Sequence, residues 1–170
     1  DCVFVTNRQH AHWFREVLGE RVYWLPSLPA VQSGRPFSTQ RRTEIVLVGH
    51  LSRFHERRRR LCEELSRRGY PLRITQAEPS QLPQIYGEAL ISLNVSLNGE
   101  VNFRYFEVTA AGGCLITDRS SATGGAGAYY KEGVHFAAYD SLDELCRQLD
   151  HYLAHPEEAV LMGQRAQANY

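Results

Sequence analysis

The segment Asn102-Phe-Arg-Tyr-Phe-Glu-Val-Thr-Ala-Ala-Gly-Gly113 runs directly into the apolar stretch Cys114-Leu-Ile-Thr117, and this joint constrains the fold more than any other feature. A helical stretch that opens on polar groups and closes in Gly-Gly just before a strand is a helix-to-strand junction of an α/β protein. It places Asn102, Arg104 and Glu107 at a helix N-terminus. Free N–H groups and the positive end of the helix dipole attract an anion there, and a guanidinium adds a fixed fork of donors. A carboxylate in the next turn can accept two hydrogen bonds from vicinal sugar hydroxyls. Phosphate and diol recognition side by side imply a nucleotide or nucleotide-sugar site.

The rest of the chain alternates in the same way. Apolar runs at 2–6, 22–25, 44–48, 71–75, 90–96, 114–117 and 135–139 read as strands. Between them, helical periodicity covers 12–18, 52–68, 81–89 and 103–111. Ser52 is expected to cap the second helix, with Leu51, Phe54, Leu61 and Leu65 inward and Gly69 as its stop. Ser141-Leu-Asp-Glu144 has capping-box form and opens a helix with Leu142, Leu145, Cys146, Leu149, Tyr152 and Leu153 inward. Pro156 fits the first position of one more helix. Such alternation predicts a parallel sheet covered by helices on both faces, with ligand beyond the carboxyl ends of the strands. The loops there are 49–53, 75–81, 96–104 and 118–127. The irregular stretch 26–42, with three prolines and a glycine, reads as a linker.

With 170 residues and 43% hydrophobic content, the chain can bury a real core. A net charge of zero supplies no bulk field to recruit nucleic acid or an anionic membrane. The run Arg57 to Arg60 is read as a solvated helix face rather than a nucleic-acid patch. Cys2, Cys62, Cys114 and Cys146 lack CxxC spacing and sit in apolar contexts, so buried free thiols in a reducing cytoplasm are expected. His10 and His12 form an H-x-H pair without a third ligand at suitable spacing, and no metal site is expected. His135 is read as a core or edge histidine. The Gly124, Gly125, Gly127 loop lacks dinucleotide-fingerprint spacing. No apolar run approaches the roughly 20 residues that span a bilayer, and the chain reads as a fragment of a longer protein.

Val46-Leu-Val-Gly-His-Leu-Ser52, Ile91-Ser-Leu-Asn-Val-Ser96, the segment 102–113 and Tyr139-Asp-Ser-Leu-Asp-Glu-Leu145 together resemble the C-terminal domain of group 1 glycosyltransferases, most nearly the CgeB-like branch. The resemblance covers most of residues 44–165. It implies the GT-B fold, two Rossmann-like domains facing across a cleft, with the C-terminal one binding a nucleotide diphosphate sugar. On that basis residues 1–30 are the tail of the N-terminal, acceptor-binding domain, 31–43 a linker and 44–170 the donor-binding domain. The implied partners are the nucleotide-sugar donor, as substrate rather than cofactor, and an unknown acceptor. The family is typically metal-independent.

The resemblance also implies roles. Gly49 lets the loop approach a diphosphate, with His50 and Arg53 as further phosphate donors; a bare tight turn is the alternative. Arg104 stabilises the departing diphosphate, against a plain surface pair with Glu100 or Glu107. Glu107 matches the second glutamate of the family's E-x7-E pattern and holds the ribose. The first glutamate falls at Gly99, one residue from Glu100, so Glu100 is the catalytic candidate in an altered E-x6-E spacing. Asn102 is a helix N-cap, a donor-orienting group, or both. Gly112 and Gly113 belong to the donor-binding segment, chiefly by allowing close helix–strand packing. Residues 75–78 lie where the base docks. A non-catalytic GT-B-like binding or scaffold module and a nucleotide-sugar epimerase are the competing functions.

Overall fold

The computed structural model describes residues 1–26, 37–119 and 125–170. Most of the expected linker before residue 37, and Gly124 of the glycine loop, lie outside the described residues.

The elements follow the expected alternation: β1 (Val3–Val5), α1 (Arg8–Leu18), β2 (Val22–Trp24), β3 (Arg42–Val48), α2 (Glu56–Arg67), β4 (Leu72–Thr75), α3 (Leu82–Glu88), β5 (Ala89–Asn94), α4 (Phe103–Ala110), β6 (Cys114–Asp118), β7 (Ala137–Tyr139), α5 (Leu142–Ala154) and α6 (Pro156–Asn169). Strands β1 and β2 form a small parallel pair. The other five form one parallel sheet in the order β4-β3-β5-β6-β7. This is a Rossmann-like, three-layer α/β domain.

Period-2 alternation along each strand builds two cores. Ile45 and Leu47 point to the face covered by α2, α5 and α6, against Cys62, Leu65, Leu145, Leu149 and Met162. Val46 and Val48 point to the opposite face, where α3 and α4 supply Tyr86, Tyr105 and Phe106. Each large side chain fully removed from water there contributes about 1.5–3 kcal/mol. The helix signals act as the sequence implies. Ser141 Oγ accepts from Glu144 N, Pro156 opens α6, and Gly69 ends α2 with φ +83° while Tyr70 N bonds back to Leu65 O. The box at Ser141 is only half closed, because the Glu144 carboxylate accepts from Asp140 N.

Three expectations are corrected. Phe54 is 71% exposed, since it lies in a 3-10 turn, Arg53–His55, that breaks the phase of the following helix. Cys2 is exposed, while Cys62, Cys114 and Cys146 are buried free thiols. Arg58 is not on a solvated face: only 8% of it is exposed.

The small β1–α1–β2 unit touches the main sheet near its carboxyl edge. Asn7, which caps α1, donates to Asn98 O at 3.4 Å, and Trp24 packs on Tyr129 with ring centroids 5.7 Å apart.

Candidate functional site

Chain topology makes the site. From β3 the chain passes to β4 on one side and then to β5 on the other. The connections diverge there and open a crevice between the carboxyl ends of β3 and β5. Val48 ends β3 and Asn94 ends β5. Arg104, in the first turn of α4, reaches into this gap and is anchored on both strands. Its Nη1 donates to Asn94 Oδ1 at 2.7 Å and its Nη2 donates to Val48 O.

Asn94 is fully buried. Its Nδ2 donates to Thr117 Oγ1 at 2.9 Å, so its Oδ1 must face the crevice, where it also accepts from Asn102 Nδ2 at 3.1 Å. The Asn102 side chain therefore does not cap α4, which corrects the N-cap expectation: Asn94 offers a buried acceptor that outcompetes the local backbone. Only the Asn102 carbonyl serves the helix, accepting from Tyr105 N at 3.1 Å. The first N–H groups of α4 keep no side-chain acceptor, which leaves an uncapped positive helix end beside Arg104.

Arg58 joins this group from α2. Its Nη2 donates to Val95 O at 2.8 Å and its Nη1 to His50 O at 3.2 Å. Burial, and then the nearby Arg104 guanidinium, lower its pKa, yet an arginine stays charged at any ordinary pH. The two guanidiniums converge on Gly49, whose φ is +142°. A Cβ there would lie 2.7 Å from Arg104 Nη2 and 3.4 Å from Arg58 Nη1. Glycine is thus required first by the arginine pair. The anchors of the two guanidiniums are neutral oxygens, and among the described residues neither arginine has a carboxylate within salt-bridge range. The Nε atoms of both arginines and Oδ1 of Asn102 are buried without partners. Two positive charges held together without a contacting carboxylate can receive an anion.

Glu107 lies one turn further along α4 and is half-buried. Burial raises its pKa, and the Arg104 charge lowers it in part. Its carboxylate has no side-chain hydrogen bond among the described residues, so its acceptor oxygens stay available. Tyr86, beside Arg104, has its hydroxyl pKa pushed up to about 12, chiefly by burial.

The remaining candidates divide. Glu100 is committed to its own loop, accepting from Leu97 N at 3.1 Å and Asn98 N at 2.7 Å. His50 contributes its carbonyl to Arg58, and its side chain is exposed. Arg53 is exposed, with its guanidinium 4.9 Å from the Phe54 ring centre. Gly112 and Gly113 are corrected: they precede β6 and so lie at the amino edge of the sheet, away from the crevice. There a Cβ on Gly112 would meet the Phe37 ring at 2.7 Å, and one on Gly163 of α6 would meet Gly112 O at 2.1 Å. They belong to the scaffold. The expected base-docking stretch is tied to the crevice by Gly49 N, which donates to Thr75 O at 2.8 Å.

Beneath the crevice, Asp118 is 2% exposed and accepts from Ser96 N at 2.9 Å and from Arg57 at 3.1 Å. Ser96 Oγ in turn accepts from Gly99 N at 3.0 Å, so Asp118 braces the loop that leads into α4. Asn94, Arg58 and Asp118 were not singled out from the sequence. A signal existed for the first two: Asn94 interrupts the apolar run 90–95, and Arg58 shares a helix face with Cys62 and Leu65 at i+4 and i+7.

The fold has known counterparts. Residues 41–170 match a family model described as glycosyl transferase-like. The chain belongs to that family. Its fold is shared with HepE of Anabaena solved with UDP and glucose, at TM-score 0.69 and 11% identity over 98% of this chain and 57% of that one. The S. aureus protein TarM, solved with fondaparinux, α-GlcNAc-glycerol and UDP, superposes at TM-score 0.67 and 8% identity, over 99% of this chain and 40% of TarM. The pneumococcal O-GlcNAc transferase GtfA, solved with UDP and GlcNAc, gives TM-score 0.61 and 12% identity over 98% and 40% of the respective chains. The glycosyl transferase-like chain therefore spans about two fifths to just under three fifths of these proteins. Curated protein sequences return no match.

Proposed function

We propose that this chain is the donor-binding part of a glycosyltransferase that moves a sugar from a nucleoside diphosphate sugar to an acceptor. The observation that carries the reading is the uncompensated Arg58–Arg104 pair at the point where the sheet connections diverge. A diphosphate supplies the two negative charges the pair lacks. Because the guanidiniums are already anchored, little reorganisation remains when charge builds on the leaving diphosphate. Two such cations do the work a divalent metal would otherwise do, so catalysis is metal-independent in this reading. Glu107, with free acceptor oxygens, takes the ribose diol, and the loop at residues 75–78 lies alongside the base. The solved relatives with UDP make uridine the first base to test. The motif resemblance supports membership of the CgeB-like branch. Residues 1–30 are proposed as the tail of an acceptor-binding domain, 31–43 as the linker and 44–170 as the donor domain. The buried free thiols support a cytoplasmic setting. Among the described residues, no helix is long and apolar enough to cross a membrane.

A second reading, a binding module without catalysis, is favoured by one observation: the Glu100 carboxylate is occupied by its own loop. Calorimetric titration with UDP, GDP, ADP and CMP, without added metal, tests the proposal. One diphosphate should bind selectively, and Arg104→Ala and Glu107→Ala should each weaken that binding, Arg104→Ala by far the more. A folded protein that binds none of the four refutes a donor site in this chain.

A further inference from the structure

His55 belongs to none of the roles above, yet it lies in the connection that joins Gly49 to Arg58, three residues before that arginine. It occupies the end of the 3-10 turn between β3 and α2 and the N-cap position of α2. Its Nδ1 is joined to Ser52 Oγ at 2.8 Å. Arg58 follows it by three residues and so lies on the same side of the helix.

The charged and titratable groups that face His55 are all basic. Of the charges that act on it, His50 belongs to the loop after β3, Arg58 to α2 and Arg104 to α4. The carboxylates of this region are engaged elsewhere. Glu56 pairs with Arg60, Asp118 is bound to Arg57 and Ser96, and Glu100 closes its loop. A proton on His55 therefore meets only repulsion in the empty site, and desolvation together with Arg58, His50 and Arg104 lowers its pKa from 6.5. An anion placed between the arginines reverses the sign of that field.

We infer that binding of the donor diphosphate takes up a proton at His55, which then faces the phosphates as a third cation. The inference rests on the donor-site reading above. By linkage, a group that gains a proton on binding makes binding tighter as pH falls. The imidazole is the side chain suited to do this near neutrality. Donor affinity would then rise on mild acidification, whereas a fixed arginine pair alone gives a flat profile.

The test uses UDP-glucose, GDP-mannose and ADP-glucose, whose diphosphates, esterified at both ends, carry no proton that titrates near pH 7. Calorimetry at pH 7 in buffers of different ionisation enthalpy counts the protons exchanged. Wild-type protein should take up about 0.3–1 proton with the sugar nucleotide that binds, and its affinity should rise about tenfold from pH 8 to pH 6. His55→Gln should bind with no proton uptake and no gain in affinity on acidification over that range, whereas His50→Gln should keep the uptake. His55→Arg should bind tightly at pH 8, again without uptake, which separates loss of the charge from loss of the fold. Uptake that persists in His55→Gln, or that vanishes in His50→Gln, overturns the assignment. Failure of all three donors to bind at any pH instead overturns the donor reading itself.

Discussion

Two arginine centres sit on the same sheet and solve opposite problems. Arg119, just beyond β6, is met by three carboxylates, with Asp140 at 2.7 Å, Glu144 at 3.0 Å and Glu132 also in contact. Those anions raise its pKa. Arg104 and Arg58, at the mouth between β3 and β5, are anchored by carbonyl and carboxamide oxygens instead. The first centre is electrically closed and ties the β6 end to β7 and α5. The second is held in shape while its charge is left open. The fold meets one arginine with three carboxylates and, among the described residues, leaves two others with none in contact, so their positive charge stays open.

Substitutions can break this contrast. The largest effect is expected for Arg104→Ala, which should weaken nucleoside diphosphate binding by about 10²-fold or more, a loss of about 2–5 kcal/mol, while nucleoside affinity changes little. Equal losses for both ligands in calorimetry would remove the phosphate role. Gly49→Ala should come next. Its Cβ must displace a guanidinium at a backbone angle that side chains rarely adopt, so unfolding in urea should show a loss of about 2–3 kcal/mol. Arg119→Met should cost about 1 kcal/mol, because the partly exposed acidic groups around it are screened by solvent. Arg104→Met should instead leave the ligand-free protein as stable or more stable, since it removes a half-buried charge that no contacting carboxylate offsets. Thermal melts of the two variants in opposite order would end the contrast.

The smallest effect is a pH dependence. Burial raises the Glu107 pKa above its ordinary value of 4.5, and a ribose diol donates to the charged form. Nucleoside binding should therefore fade as pH drops through that raised value, beginning above pH 4.5. Uridine titrations from pH 7.5 to 5 should show a decline of a few-fold in the wild type and a flat profile in Glu107→Gln.

Much of the scaffold was legible because its signals are local. The apolar runs at 44–48 and 90–94 had to be buried strands, and Gly69, Ser141 and Pro156 mark helix ends by backbone chemistry alone. The open end of α4 was legible for the same reason: Asn102, Arg104 and Glu107 lie within six residues of one another. What stayed hidden depends on parts of the chain that meet only in three dimensions. In a run of four arginines nothing local shows that Arg58 turns inward, although its spacing from Cys62 and Leu65 carries that information. The helix phase was extended back to Phe54, across a turn with a different period. Asn102 looked like a cap because the acceptor that captures its amide, Asn94, is eight residues away and belongs to a strand. Gly112 and Gly113 share a motif with Arg104 but lie at the far end of the helix, about 12 Å away at 1.5 Å per residue.

Asn94 itself has a consequence for how such a receptor can change. Its oxygen faces Arg104 and Asn102, while its nitrogen faces away, toward Thr117. An aspartate would fit the same volume and offer the same oxygen, but it would set a negative charge against Arg104 and cancel one of the two positive charges. The threonine hydroxyl, able to donate as well as accept, would tolerate the exchange. One nitrogen atom thus keeps the net charge of the arginine pair at two rather than one, and a crevice of half that charge lies a single isosteric step away.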